Sequence, residues 1–312
     1  MADSGNDRKR YRSFSSYLKQ IFGCRVHKVS LDAGFTCPNR DGTRGTGGCV
    51  YCNNTGFSYN TARGPGSLEE QLERGMAYMR KRFRAEKFIA YFQAFSSTYA
   101  SIGRLKAAYD SIRPFPEIAG LFISTRPDCV EDEVLELISS YRVSYLTWLE
   151  LGLQSANDLT LKRINRGHTV SDFTDAVTRA GMHGLPVCAH VILGLPGEGP
   201  KEMLDTAMLL AECGVQGVKV HALHLVKNTP LAERYIARPF PLLSLREYIS
   251  VTCDFLERIP PDMVVQRLGV DVPRDMLVAP EWCARKHETV SAIEDELEGR
   301  NSRQGKLFGD TA

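Results

Sequence analysis

The fold is determined by a repeating stretch that reads FIAYFQ (88–93), GRLKAAYDSI (103–112), AGLFIST (119–125) and EDEVLELISSY (131–141). In it, a short apolar run is followed twice by a helical pattern. Apolar runs that alternate with helical segments are typical of βαβ units, in which successive strands lie parallel in one sheet. The stretch therefore predicts an α/β fold built on a parallel sheet.

The same alternation continues on both sides of this stretch. Further strands are predicted at HKVSLDAGF (27–35), YLTWLEL (145–151), PVCAHVIL (186–193) and GVKVHAL (217–223). Six strands separated by helices fit a partial (β/α)6 barrel better than a complete eight-fold barrel. We expect a basic, loosely held lead-in (1–24), a barrel core (25–235) and a C-terminal α/β extension (236–312), in which MVVQRLG (263–269) is a short strand and 299–306 frays.

The composition excludes several classes of protein. The 312 residues are 43% hydrophobic and 24% charged, which is a globular composition, and the formal net charge of +2 is too small to indicate a nucleic-acid binder by itself. No stretch approaches the roughly 18 uninterrupted apolar residues of a membrane helix. The first residues contain no apolar segment typical of a secretory signal. We therefore expect a cytoplasmic protein without membrane association.

The strongest functional signal is GFTCPNRDGTRGTGGCVYC (34–52), which directly follows the first predicted strand. Three of the nine cysteines lie in it, Cys37, Cys49 and Cys52, in the pattern C-x11-C-x2-C. The intervening glycines allow the backbone to wrap closely around a bound group. Three thiolates in one loop suit an iron–sulfur cluster, and a [4Fe–4S] cluster with three cysteine ligands keeps one iron open, as catalytic metal sites do.

A structural zinc site is the alternative for this loop. Zinc would need a fourth ligand, which Cys24 or His27 could supply. The loop, however, lies at the C-terminal end of a predicted barrel strand, where barrels place their chemistry, and this position favours the cluster. The other cysteines are scattered, and we interpret them as small buried hydrophobic residues.

The motifs around the triad resemble those of radical S-adenosylmethionine (SAM) enzymes. The resemblance is strongest to the YhcC-type radical SAM proteins, in the branch that contains the Elongator catalytic subunit and the oxygen-independent coproporphyrinogen oxidase. It covers nearly the whole chain and is carried by KVSLDAGFTCPNRDG (28–42), STRPDCV (124–130), LELGLQSANDLTLKRINRGH (149–168), HVILGLPGE (190–198) and the tail at 279–306. Most of the superfamily separates the first two cysteines by three residues, so the eleven found here follow this subgroup's own pattern.

The resemblance implies the cofactors and their ligands. A [4Fe–4S] cluster would bind Cys37, Cys49 and Cys52, SAM would bind the open iron, and cleavage of SAM would give a 5′-deoxyadenosyl radical. The electron would come from a donor such as flavodoxin or ferredoxin. Tyr51, between the last two cysteines, would lie beside the adenine, with an ordinary packed tyrosine as the alternative.

Further SAM contacts are implied around the fourth predicted strand. Strand alternation places Glu150 and Gln154 on one face, where a carboxylate and an amide inside the sheet need polar partners. By resemblance Gln154 faces the ribose or amino-acid part of SAM. Arg166 would bind the SAM carboxylate in bidentate geometry, with Arg163 as the fallback and a solvated helix face as the alternative for both.

The remaining candidate contacts depart from the common pattern of the superfamily. The Gly-Gly-Glu segment that holds the SAM amino group in many relatives is absent, so Gln93, Ser96 or backbone carbonyls would replace it. Ser124 ends the third strand and would line the mouth of the site. His190 matches an acidic residue that contacts SAM in the coproporphyrinogen oxidase, and a hydrogen-bonded core histidine is the alternative. Arg126 would contact SAM or an anionic substrate, or form an ion pair.

Basic residues cluster in three places outside these motifs. Basic patches on a nearly neutral chain can follow a phosphate backbone, although solvated helix faces give the same pattern. The three runs are Arg80, Lys81, Arg82, Arg84 and Lys87; Arg8, Lys9, Arg10 and Arg12; and Arg300, Arg303 and Lys306.

Three functions remain open from the sequence. The basic runs and the Elongator-like core favour a radical SAM enzyme of tRNA wobble-uridine modification, with tRNA as the partner. The second is a radical SAM enzyme acting on a small metabolite or cofactor precursor. The third is a non-catalytic iron–sulfur or SAM-binding sensor or scaffold, which the intact triad and the Glu150, Gln154 and Arg166 set make less favourable.

Overall fold

The computed structural model of the protein describes residues 9–53 and 66–309. Its strands are β1 (Val26–Leu31), β2 (Lys87–Phe92), β3 (Ile118–Thr125), β4 (Leu146–Gln154), β5 (Val187–Leu193), β6 (Gly217–Ala222), β7 (Leu225–Val226), β8 (Val264–Leu268) and β9 (Leu277–Ala279). Its α-helices are α1 (Phe14–Phe22), α2 (Leu68–Phe83), α3 (Ile102–Asp110), α4 (Asp132–Ser140), α5 (Asp158–Arg163), α6 (Val170–Met182), α7 (Pro200–Glu212), α8 (Pro230–Ala237), α9 (Leu245–Arg258) and α10 (Lys286–Gly299).

The strands confirm the predicted α/β half-barrel. Seven of them run parallel in one sheet, in the spatial order β1-β2-β3-β4-β5-β6-β8. The six predicted strands occupy the first six positions. The seventh, β8, comes from the C-terminal extension, where the sequence predicts a short strand, and it pairs in parallel with β6. The extension therefore completes the sheet.

Helices α2, α6 and α7 pack on the outer face of the sheet because their apolar residues recur at helical spacing. α2 begins at the predicted capping box, in which the backbone N–H of Glu70 donates to Ser67 Oγ at 3.2 Å and that of Ser67 donates to Glu70 Oε2 at 3.1 Å. Leu72 and Met76 of this helix are buried in the main core. None of the helices that the structure describes is long and apolar enough to cross a membrane.

The N-terminal segment is folded against the inner face of the sheet, whereas the sequence predicts a loosely held lead-in. The buried Leu18 of α1 shares an apolar cluster with Phe122 of β3 and Trp148 of β4. By strand alternation these two rings face the inside of the half-barrel, where they would otherwise contact water. The helix therefore closes the amino end of the half-barrel.

The polar segment 299–306, which the sequence predicts to fray, is also fixed. The side-chain amide of Gln304 donates to the carbonyl oxygens of Pro260 at 2.6 Å and Met263 at 2.8 Å, and its oxygen accepts from the backbone N–H of Arg12 at 2.8 Å. These bonds satisfy backbone groups at the end of the sheet that have no strand partner. Polarity alone does not distinguish such a buried polar link from a solvated tail.

Candidate active site

A cleft of about 220 Å3, open to solvent, lies at the carboxyl edge of the sheet. Parallel strands end there together, so side chains from distant parts of the sequence meet. The wall includes all three cysteines of the triad and six of the seven predicted SAM contacts: Cys37, Cys49, Cys52, Tyr51, Gln93, Ser124, Gln154, Arg166 and His190. The seventh predicted contact, Glu150, lies below the wall.

Backbone hydrogen bonds fix the cysteine loop to the segment that follows β4. The N–H of Val50 donates to the carbonyl of Ile164 at 3.0 Å, and Asn39 Nδ2 donates to the carbonyl of Asn165 at 2.6 Å. Gly48 has φ +78°, a left-handed conformation that a side chain rarely adopts, and its N–H donates to the carbonyl of Asn39 at 2.8 Å. The loop therefore holds its position without help from the cysteine side chains.

The described donors do not form a ready site for a single metal ion. Within residues 9–53 and 66–309, no three His, Cys, Asp or Glu side chains converge closely enough to bind one metal ion. A zinc site draws its ligands around one point, whereas each thiolate of a [4Fe–4S] cluster binds a different iron. Of the two candidate fourth zinc ligands, His27 stacks on Phe83 with ring centroids 4.6 Å apart, and Cys24 does not belong to the cavity wall.

Arg166 lies on the cavity wall, while its fallback Arg163 lies outside it. Arg166 Nη2 donates to the carbonyl of Gly152 at 2.8 Å and Nη1 lies 3.6 Å from Cys49 Sγ, but its buried Nε has no hydrogen-bond partner among the described residues. Arg163 instead donates to the carbonyl of Pro196 at 2.6 Å. A buried donor without a partner indicates a position for a polar ligand, because such groups are nearly always satisfied.

Arg126 holds the backbone of Arg166 in place. It is buried, forms a bidentate ion pair with Asp128 in which both N–O distances are 2.8 Å, and donates from Nη1 to the carbonyl of Arg166 at 2.8 Å. Of the alternatives in the sequence, the ion pair is present, and it is buried and not on the surface. Arg126 therefore fixes the backbone that presents Arg166.

Gln154 reaches the cavity through an irregularity at the end of β4. The register with β5 shifts between Gly152 and Gln154, and Gln154 has φ +76°, a strained value for a residue with a side chain. Its amide makes no hydrogen bond with any residue in the described parts of the chain. A Cβ atom at Gly152 would lie 2.5 Å from Arg166 Nη2 and 2.6 Å from Gln154 Nε2, so a side chain there would displace the ends of both side chains from their present positions.

Glu150 is fully buried beneath the cavity and is held by cations of the chain itself. Its carboxylate accepts hydrogen bonds from Lys28 Nζ at 2.8 Å, from His190 Nε2 at 2.8 Å and from Lys219 Nζ. Burial alone would raise the pKa of Glu150, but Lys219 and Lys28 hold it well below its usual range. The polar partner that strand alternation demands for Glu150 is therefore supplied by the protein.

His190 links this buried group to the cavity. Burial lowers its pKa to about 4, so the imidazole is neutral at pH 7. Because Glu150 is ionised, Nε2 must carry the proton and donate to it, which leaves Nδ1 as an acceptor. His190 is thus the hydrogen-bonded core histidine of the alternative interpretation, and it also lines the cavity, where contact with SAM stays a prediction.

Several residues of the cavity were missed in the sequence. Tyr91, Lys219, His221 and Arg267 all line it. The sequence contained a signal for two of them: Lys219 interrupts the apolar run 217–223, and Arg267 lies within the predicted strand 263–269. His221 and His224, which strand alternation would place on opposite faces, both line the cavity because β6 ends at Ala222.

Two family models match the chain. The model described as "Radical SAM superfamily" matches residues 40–210, and the one described as "Radical_SAM C-terminal domain" matches residues 215–299. Protein YtqA of Bacillus subtilis is 39% identical over 97% of this chain and 94% of its own length. Protein YhcC of Escherichia coli K12 is 40% identical over 96% of both chains. The chain therefore belongs to the radical SAM superfamily, which confirms the resemblance.

More distant similarities extend to proteins of differing function. The fold matches that of Elp3 from the archaeon Methanocaldococcus infernus with a TM-score of 0.67 at 18% identity, over 90% of this chain and 64% of that one. The tRNA uridine(34) acetyltransferase of Dehalococcoides mccartyi is 28% identical over 61% of this chain and 44% of its own length. The biotin synthase of Thermus thermophilus is 32% identical over 73% of this chain and 66% of its own length.

Members of the radical SAM superfamily are enzymes that use a [4Fe–4S] cluster and SAM. The residues on the cavity wall fit both cofactors. The three thiols suit the cluster, while Arg166 Nε and the hydroxyl of Ser96 are buried polar atoms without partners in the described chain. The chain is thus an enzyme, which excludes the alternative of a non-catalytic iron–sulfur or SAM-binding sensor or scaffold.

Replacing Gln154 or Arg166 with alanine is expected to weaken SAM binding and to leave the cluster in place. Each change removes a hydrogen-bonding group from the wall, and loss of a hydrogen bond to a charged ligand costs about 1.5–3 kcal/mol, or roughly 10- to 150-fold in affinity. Calorimetry on the reconstituted protein measures the effect. Arg163→Ala is the matched control, because Arg163 lies near Arg166 but outside the cavity; equal SAM affinity in all variants would place the binding residues elsewhere.

Proposed function

We propose that this chain is a radical SAM enzyme that removes a hydrogen atom from a substrate held in the same cavity as its cofactors. The observation that carries the proposal is the single wall shared by the three cysteines, Arg166 and Gln154. When bound, the cluster supplies the path for the reducing electron, and SAM supplies the 5′-deoxyadenosyl radical. Formation of 5′-deoxyadenosine from SAM by the reconstituted, reduced protein tests the proposal, with a donor of the flavodoxin or ferredoxin type as the physiological reductant.

The residues of the chain would have separate tasks. Cys37, Cys49 and Cys52 would hold the cluster, and Arg166 and Gln154 would bind and orient SAM. Arginine suits the carboxylate of SAM because its guanidinium can donate two parallel hydrogen bonds. The proposal therefore places cluster and SAM at the β1 to β4 side of the cavity.

Apolar side chains complete the other part of the wall. Ile192 of β5 lines the cavity, together with Leu223 after β6 and Val270 after β8. Such residues exclude water and so favour hydrogen abstraction from the substrate over side reactions. The substrate would therefore enter from the solvent side and pack against β5, β6 and β8.

For the substrate we propose tRNA, and within it the wobble uridine. The support is the similarity to a tRNA uridine(34) acetyltransferase over 61% of this chain. A tRNA substrate would also require the cytoplasmic location that the sequence predicts. Comparing tRNA nucleosides from a strain that lacks the gene with wild type, by mass spectrometry, tests this directly: a missing or accumulated wobble nucleoside supports it.

The densest basic run lies far from the cavity. Arg80, Arg82 and Arg84 lie at the C-terminal end of α2, and Lys87 begins β2 at the amino edge of the sheet. β2 then runs six residues to the cavity residue Gln93, which at about 3.3 Å per residue is roughly 20 Å. A ligand in contact with both places must be much larger than a metabolite, so the run discriminates between the substrate classes.

The four-residue variant with Arg80, Lys81, Arg82 and Arg84 changed to Gln is expected to bind tRNA with a flatter salt dependence. Each phosphate contact contributes a slope of about −0.7 to −0.9 in a plot of log affinity against log salt, because counterions are released. Titration of labelled tRNA at two salt concentrations measures the slope. SAM cleavage should not change, since the run lies away from the cofactors.

The control for this variant removes four exposed cations elsewhere, at Lys106, Arg113, Lys201 and Arg285. It carries the same change in net charge and should keep the slope of the unaltered protein. Weak binding without salt dependence in the unaltered protein would contradict the tRNA proposal. The other basic runs are less informative, because Arg300 is held by two acids, Asp254 and Glu296, whereas Arg80 has one exposed partner, Glu117, and Arg8 lies outside the described residues.

A radical SAM enzyme acting on a small metabolite or cofactor precursor is the second candidate. It is favoured by the similarity to biotin synthase, which extends over 73% of this chain. Unchanged tRNA nucleosides in the deletion strain, together with the absence of salt-dependent tRNA binding, would select it.

A further inference from the structure

The cavity has a second polar end, formed by β6 and β8, which lie two and three strands along the sheet from β4, the strand that precedes Arg166. We call it the β6–β8 end and define it by Lys219, His221 and Arg267. None of these residues belongs to the motifs that carry the resemblance to radical SAM proteins. The SAM proposal assigns no task to them.

Arg267 is half-buried on the cavity wall, and its nearest acidic neighbour among the described residues is Asp271. Its guanidinium makes no hydrogen bond and no ion pair with any residue in 9–53 or 66–309. Asp271, the acid on the wall at this end, is exposed and pairs with Lys286, with a distance of 2.8 Å between Nζ and Oδ2. A guanidinium presents five donors, so its isolation in a partly buried site leaves a large hydrogen-bonding capacity unused.

Lys219 adds a second cation to this end. It is almost completely buried, and its Nζ donates to Tyr91 Oη at 2.9 Å and to the carboxylate of Glu150. An ammonium group has three donors, so one remains for the cavity that Lys219 lines. Lys219 is therefore a preorganised donor whose position is fixed from below.

The charges around this end do not balance. Glu150 is the anion beneath the wall, but it already accepts from both Lys28 and Lys219, and Arg267 adds further positive charge. Burial lowers the pKa of His221 well below its usual value, so it contributes no compensating or additional charge at pH 7. Burial also lowers the pKa of Lys219 to about 7, although the carboxylate of Glu150 acts in the opposite direction. An anion in the cavity would restore the balance.

We propose that Arg267 and Lys219 bind an anionic group of the substrate, a carboxylate or a phosphate, at the β6–β8 end of the cavity. The proposal rests on the proposed function in one respect, namely that the substrate lies in the same cavity as SAM. It does not require that the substrate is tRNA. The two ends then bind different anions: Arg166 takes the carboxylate of SAM, and Arg267 takes that of the substrate. Arg267 suits this task because its planar fork matches two oxygens of one oxyanion.

The test uses the reconstituted protein with its oxidised cluster and saturating SAM, so that Arg166 is occupied and no cleavage occurs. Malonate and inorganic phosphate are titrated separately by calorimetry. We expect at least one of them to bind, and Arg267→Gln to weaken that binding by roughly 10- to 150-fold, as for a lost hydrogen bond to a charged group. Arg267→Lys keeps the charge and should retain part of the affinity, and Arg163→Gln, outside the cavity, should change nothing. Binding of malonate alone indicates a carboxylate on the substrate, and binding of phosphate alone a phosphate.

A second measurement separates ligand binding from a structural role. Without added anion, Arg267→Gln should melt no lower than the unaltered protein, because the change breaks no hydrogen bond or ion pair with the described residues. A clear loss of thermal stability would show that Arg267 serves the fold and would overturn the proposal. So would equal anion affinity in the unaltered protein and Arg267→Gln, or the absence of binding of both anions.

If the proposed function is wrong, the experiment gives a result that differs from failure of the anion site. If SAM itself does not bind, the radical SAM assignment of the cavity is wrong. The comparison of Arg267 variants is then made without SAM, and a loss of anion affinity on Arg267→Gln still supports the β6–β8 end as an anion site.

Discussion

Simultaneous replacement of Cys37, Cys49 and Cys52 with alanine is expected to abolish the broad visible absorption of the anaerobically reconstituted protein and all formation of 5′-deoxyadenosine. In the proposed function these three thiolates hold the cluster, so the variant loses every side chain that would bind its irons. The fold should survive, because backbone bonds such as Val50 N–H to the carbonyl of Ile164 hold the loop. Absorption, iron content and circular dichroism measure these outcomes.

The matched control replaces Cys24, Cys188 and Cys213, which lie outside the cavity wall, with alanine. It should retain the cluster and the cleavage of SAM. A cluster that persists in the triad variant would contradict the assignment. Loss of the cluster in the control variant would also do so, since Cys24 is the candidate fourth ligand of the zinc alternative.

Glu150→Gln is expected to lower the free energy of unfolding by about 3–5 kcal/mol, the cost of leaving a buried ion pair with one partner. The change leaves Lys219, which is buried, without its carboxylate, and Lys28 loses its ion pair as well. Urea unfolding of the unreconstituted protein, followed by circular dichroism, measures the difference. Because the expected loss is a large share of the stability of an ordinary domain, part of this variant should be unfolded without denaturant.

Two further variants make this result specific. Glu117→Gln breaks the exposed pair with Arg80 and should cost less than about 1 kcal/mol, as surface pairs do. Adding Lys219→Met to Glu150→Gln should recover part of the loss, because it removes the buried cation. A loss below about 1 kcal/mol for Glu150→Gln would mean that the buried cluster of charges does not stabilise the fold in this way.

The parallel half-barrel could be predicted because its signal is local and repeated. Each apolar run and each helical stripe is visible within a dozen residues, and the capping pair Ser67 and Glu70 marks the start of α2. The cysteine triad is equally local. The placement of Gln93, Ser124 and Gln154 on one wall follows from their positions at the carboxyl ends of β2, β3 and β4, so strand prediction already brings them together. Tyr51 and Arg166 reach the same wall on the segments that follow β1 and β4, and His190 reaches it from within β5.

What could not be predicted depends on contacts between distant segments. Glu150 meets Lys28 and Lys219 only after β1, β4 and β6 have curled around one interior, and no spacing in the sequence shows that these side chains meet. The attachment of α1 depends likewise on rings from β3 and β4. Polarity suggested a loose lead-in and a fraying tail because a sequence does not reveal which polar groups will find buried partners.

The late position of β8 in the chain has a consequence during protein synthesis. β6 leaves the ribosome with one edge unpaired, and α8 and α9 emerge before β8 can pair with Gly217, Val218, Lys219 and Val220. An open strand edge is a template for pairing with another chain, including a neighbour made on the same messenger RNA. The nascent half-barrel therefore has a vulnerable interval, which ends when Val264–Leu268 adds the last strand.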